Sequence, residues 1–126
     1  MSITYWVFYG LLMAGIVAFM LMRRAGQVPV KEGQDLVKHG AMVIDVRTPA
    51  EFNTGHLSQA FNMPVDEIEG MLASKVRDKS RVILLHCKTG LRSKKAKNLL
   101  NRRGYTNVFD LGSYERAFKI VSGRSM

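Results

Sequence analysis

The chain opens on an unbroken apolar run. Residues 3–22 read ITYWVFYGLLMAGIVAFMLM, and the first 22 positions hold 18 apolar side chains and no charge. Twenty such residues wound as a helix span about 30 Å, the thickness of a bilayer's hydrocarbon core. Tyr5, Trp6, Phe8 and Tyr9 crowd its start, where aromatic rings favour the headgroup level, and Arg23 and Arg24 follow its end. A cleaved signal peptide would carry its positive charge first, a shorter apolar core and a small-residue cleavage site. The pattern therefore predicts a retained single-pass transmembrane anchor over residues 1–24 and a domain over 25–126. Arg23, Arg24, Lys31 and Lys38 all follow the helix closely, which by the positive-inside rule places the domain in the cytoplasm. Gly10, Ala14 and Ala18 recur every four residues on one helix face, a small-residue pattern that would let two anchors pair as a homodimer.

Beyond residue 25 the periodicity changes. A short strand at 28–30 leads into a helix through Lys38; residues 41–45 (AMVID) and 81–86 (RVILLH) are continuous apolar runs of strand length, as buried parallel strands are. Thr48, Pro49 and Glu51 have the spacing of a capped helix start, and Gly55 is its stop. A short strand at 60–62, a helix at 65–72, a helix at 93–103 ended by Gly104, a strand at 108–110 and a helix at 114–121 complete the alternation. Strands alternating with helices predict an α/β fold: a parallel sheet with helices on both faces, its functional loops at the carboxyl ends of the strands. A remainder of this length suffices for one core and is too short for two.

Charge and cysteine content narrow the chemistry. The net charge of +9 is concentrated, with eleven Lys and Arg against Asp78 alone between Lys75 and Arg103. Such a field attracts anions and would hold the domain against anionic membrane lipid. No nucleic-acid module or aromatic-interleaved basic stripe accompanies it, so nucleic acid is not the expected partner. A single cysteine, Cys87, excludes an internal disulfide framework and any multi-cysteine zinc or iron–sulfur site, and no metal or other cofactor is expected.

Cys87 closes the most apolar strand, and Lys88, Thr89, Gly90, Leu91, Arg92 and Ser93 carry the chain from it into the next helix. Backbone N–H groups and the positive end of the helix dipole converge at such a junction. They favour a thiolate and cradle an anionic substrate beside it; Gly90 supplies backbone freedom, Arg92 can close the ring and Lys88 adds charge at its mouth.

The chain resembles the rhodanese-like sulfurtransferases over residues 28–122. Three stretches carry the likeness: VIDVRTPAEF at 43–52 with Gly55, His56 and Leu57; CKTGLRS at 87–93; and GYTNV at 104–108 leading to Leu111 and Gly112. The resemblance implies that Cys87 is the nucleophile and sulfur carrier. It would take sulfane sulfur from an anionic donor such as thiosulfate as a persulfide, and yield it to cyanide or a thiol. Residues 88–93 would form the cradle, with Asp45, Arg47, Glu51 and His56 as a supporting network in which an Arg47–Glu51 pair braces the loop. The sequence departs from the family pattern at Ser58-Gln59-Ala60, where a glycine commonly precedes the alanine, at Ser113 and at Phe118, all expected to lie away from the cysteine loop.

Loop length separates two relatives. Phosphatases and arsenate reductases built on such a loop need five residues between cysteine and arginine, a ring wide enough for a tetrahedral oxyanion. Here four stand between Cys87 and Arg92, which suits a single sulfur atom. A non-catalytic docking module at the membrane is the alternative from another class. An intact thiol in an anion cradle speaks against it. His39 and His86 are expected to be structural or surface residues.

Overall fold

The computed structural model describes residues 2–124; the side chains of Arg23 and Arg24, expected at the anchor's basic flank, lie outside the described residues. The apolar run forms one helix, α1 (Ile3–Arg24), with every described side chain exposed. Then follow α2 (Val30–Lys38), β1 (Met42–Asp45), α3 (Pro49–Thr54), β2 (Phe61–Asn62), α4 (Ile68–Lys75), β3 (Ile83–His86), α5 (Leu91–Arg102), β4 (Val108–Gly112) and α6 (Tyr114–Ser122).

The strands pair in the order β2-β1-β3-β4, all parallel, so the two most apolar runs lie inside the sheet. Side chains alternate across a strand, and the two cores follow that period. Ile44, Ile83 and Leu85 pack with Ile68 and Leu72 of α4 and with Ala96 and Leu100 of α5. Val43 and Leu84 face the other way, onto Leu36 and Val37 of α2 and Ala117 and Ile120 of α6. Gly33 permits the close approach of α2 and α6, because a Cβ there would stand 2.9 Å from Ile120 Cγ2.

Thr48 and Glu51 form the expected capping box: the Thr48 hydroxyl accepts from Glu51 N at 3.2 Å, and the Glu51 carboxylate accepts from Thr48 N at 3.3 Å. Two expectations need correction. The strand at 28–30 is a single parallel bridge between Gln27 and Asp110, with Val28 N donating to Asp110 O at 2.9 Å. Pro29 has no N–H to extend the ladder and instead leads into α2. The helix expected from residue 65 begins at Ile68, because Val65 N donates to Val46 O and so continues the extended chain beside β1.

Candidate active site: the Cys87 loop

The alternation that builds the core also aims the cysteine. Leu85 and Cys87 fall on the α4/α5 side, and His86 between them faces α6, its ring edge-on to Tyr114 with centroids 5.9 Å apart. Register shifts where β3 meets β4 at Leu85–His86, and Cys87 N donates to Gly112 O at 3.1 Å as the chain leaves the sheet. Gly90, at φ +97°, turns its N–H back onto Cys87 Sγ at 3.0 Å. That left-handed conformation is costly for other residues. Ser93 N reaches Sγ at 3.4 Å, and the Ser93 hydroxyl lies 3.7 Å away. The sulfur thus sits at the amino terminus of a twelve-residue helix with no acidic residue in its first turn. Both the amides and the helix dipole favour negative charge there.

A ring of ion pairs surrounds the loop, paired differently from the sequence expectation. Glu51 does not bind Arg47: it takes Arg92 in a bidentate pair, Nη1 to Oε1 at 2.6 Å and Nη2 to Oε2 at 3.0 Å. The Arg92 guanidinium, followed by hydrogen bonds from the Thr48 backbone and hydroxyl, holds the Glu51 carboxyl at about 2, against 4.5 ordinarily. Arg92 therefore ties α3 to the loop through Glu51. Arg47 folds back onto Asp45 two residues earlier, with Nε and Nη2 on the carboxylate at 2.7–3.0 Å. Its Nη2 also donates to Gly55 O at 2.8 Å, and its guanidinium lies 4.8 Å over the Tyr114 ring. A two-residue spacing at the exit of β1 lets the Arg47 side chain take its own strand's last carboxylate, while Nη2 reaches the carbonyl of the residue that caps α3 rather than Glu51. His86 Nε2 lies 4.0 Å from Asp45, yet burial dominates and pushes its pKa down to about 4.

His56 stands apart from this network. It is exposed, stacked on Phe52 at 3.7 Å, with Nδ1 bonded to Phe52 O. Lys88 and Thr89 are exposed and Leu91 is half-exposed; Thr89 bridges Ser113, so that departure from the family pattern lies against the loop and not away from it as expected. The thiol itself is fully covered, at 0% exposure. It belongs to the apolar cluster of Val46, Met63 and Ala96. In this conformation a dissolved donor reaches Sγ only if the surrounding loop moves. A depression of about 360 Å³ lined by Glu69, Lys79, Arg103 and Tyr105 lies at the opposite end of α5 from the cysteine.

Three residues that sequence patterns did not single out hold the loop in place. The Gln27 side-chain amide is wedged between Gly90 and Gly112; a Cβ would meet Gln27 Nε2 at 3.2 Å on Gly90 and at 2.6 Å on Gly112. Asn62 donates from Nδ2 to Asp45 O and Arg47 O, at 3.1 and 2.9 Å. Asp110, buried beneath the loop, accepts from Gly112 N at 2.8 Å, and burial raises its pKa. Gln27 had no signal, since its contacts are some sixty or more residues away; Asp110 at a strand end was the one legible hint.

The fold and site thus define a parallel α/β domain whose one cysteine stands at the carboxyl edge of the sheet, approached by two backbone amides where a long helix begins. The pattern of the rhodanese-like domain matches residues 29–117, and the chain belongs to that family. It is 36% identical over 69 residues to thiosulfate sulfurtransferase PspE of Escherichia coli K12, covering 55% of this chain and 66% of PspE. It is 35% identical over 103 residues to the chloroplastic thiosulfate sulfurtransferase 16 of Arabidopsis thaliana, covering 73% of this chain and 86% of that protein. The solved structure of an E. coli rhodanese with anions superposes with a TM-score of 0.59 at 32% identity, covering 61% of this chain and 91% of the other. The chain thus spans about two thirds of PspE's length.

Proposed function

We propose that this protein is a membrane-anchored sulfurtransferase that carries sulfane sulfur on Cys87. The observation that carries the reading is the pair of amides, Gly90 and Ser93, directed at Sγ from 3.0 and 3.4 Å. These donors would stabilise the negative charge of a sulfur nucleophile and of its persulfide. The thiolate attacks the sulfane sulfur of thiosulfate; a new S–S bond forms on Cys87, the S–S bond of thiosulfate breaks, and sulfite leaves with the electron pair. A thiolate or cyanide then attacks the outer sulfur, forms its own bond to it and returns the Cys87 thiolate. The names of the relatives, two of them thiosulfate sulfurtransferases, agree with this chemistry.

The anchor reading is supported by the 20-residue stretch Ile3–Met22, uncharged and with no side chain covered by the rest of the protein. An all-round apolar surface of that length calls for lipid rather than water. The clustering of basic residues after it favours a cytoplasmic domain.

Full-length protein treated with thiosulfate and measured by intact mass should gain about 32 Da, one sulfur atom, and Cys87→Ser should gain none. No gain, or a gain that survives Cys87→Ser, would falsify the proposal.

A further inference from the structure

The exit of the anchor and the cysteine loop are in contact. Lys94 Nζ donates to Met22 O at 2.7 Å and Lys97 Nζ to Gly26 O at 3.3 Å, so the first turns of α5 rest on the end of α1. Gln27, five residues past the end of the apolar run, touches Gly90. Five residues reach at most about 18 Å fully extended, which bounds the height of the loop above the bilayer whatever the tilt of α1.

The surface presented at that height is an unusual one. Among the described residues outside α1, Leu91 is the most exposed large apolar one, at 50%. At helical spacing Lys94, Lys95 and Arg102 share its face, Lys88 lies at the loop mouth beside it, and α5 contains no acid. An apolar side chain flanked by cations, on a helix whose first turns lie within that reach of the bilayer, matches the chemistry of an interfacial helix: cations on phosphates, leucine at the acyl boundary.

We infer that this face of α5 docks on anionic phospholipid headgroups, so that the mouth of the Cys87 loop opens onto the membrane surface rather than into bulk solvent. The inference rests on the anchor reading above and names the orientation that follows from it. Docking fixes the domain against the leaflet, and sulfur donors and acceptors then approach Cys87 within the interfacial layer, where the lysines also gather anions.

The test uses the full chain in nanodiscs of phosphatidylcholine alone or mixed with phosphatidylglycerol, with amine acetylation of lysines read by mass spectrometry. Lys94 and Lys95 should be acetylated about five-fold more slowly in the phosphatidylglycerol discs, with the difference erased in about 1 M salt. Lys31, Lys38 and Lys79 should label equally in both. The double variant Lys95→Glu, Arg102→Glu should lose the lipid dependence at Lys94 while still taking sulfur from thiosulfate. Equal labelling of Lys94 and Lys95 in the two lipids, or uniform slowing of every lysine, overturns the inference. A chain that does not enter the discs at all would instead defeat the anchor reading, which keeps the two failures apart.

Discussion

Glu51→Gln is the perturbation that asks most directly whether the first motif is mechanically joined to the cysteine loop. Gln keeps the capping box with Thr48, so the change removes charge while leaving the start of α3 intact. Arg92, followed by the Thr48 contacts, holds the Glu51 carboxyl at about 2 instead of 4.5. At about 1.4 kcal/mol per pH unit that difference corresponds to about 3.4 kcal/mol as an upper bound. Both side chains are about one-third exposed, 33% and 30%, and solvent screening reduces the contribution to about 1 kcal/mol. Because the folded pKa is depressed, the stabilisation is complete above 4.5 and is lost as pH falls from 4.5 towards 2. Thermal unfolding of the full chain in detergent, followed by circular dichroism, should place the variant about 4–8 °C below the parent at pH 7. The gap should narrow as pH falls through that window. Iodoacetamide should also alkylate Cys87 faster in the variant, since the covered thiol becomes reachable when the loop is untied. Equal melting temperatures at pH 7, or a gap constant down to pH 2, would refute the reasoning.

Two further outcomes follow from the site. Gly90→Ala forces a side chain into a φ of +97° and against the Gln27 amide, turning the N–H away from Sγ. Loss of one preorganised donor should slow persulfide formation about a hundredfold, and a stopped-flow or quenched mass measurement giving the parental rate would contradict the assigned donor. His86 is buried, with its pKa lowered to about 4 from 6.5; the unfolded chain takes up its proton first. Stability from this residue is therefore complete above 6.5 and declines by up to about 3 kcal/mol as pH falls to 4. Urea titrations of His86→Phe should show a flatter pH dependence across that window, and an unchanged slope would mean that other groups govern it.

Secondary structure and the position of the lone thiol were legible because they depend on local signals. Apolar runs at 41–45 and 81–86 have the length of buried strands and supply β1 and β3, Thr48-Pro49-Ala50-Glu51 caps a helix by its own side chains, and Cys87 stands at a strand-to-helix junction. The pairing of charges was not legible. Arg47 and Glu51 are close in sequence, but the direction of each side chain is set by where β1 ends and where α5 begins, and these put Asp45 under one and Arg92 over the other.

Sequence alone thus determined the apolar helix, the alternating α/β pattern and a lone thiol before a glycine-containing turn, since each is written in the order of neighbouring residues. Tertiary structure decided that Gln27 wedges the loop, that the thiol is wholly covered, and that Lys94 and Lys97 rest on the end of α1 and the turn after it. Those contacts join residues some sixty or more positions apart, and no local periodicity encodes a distance that only the packed sheet and its helices create.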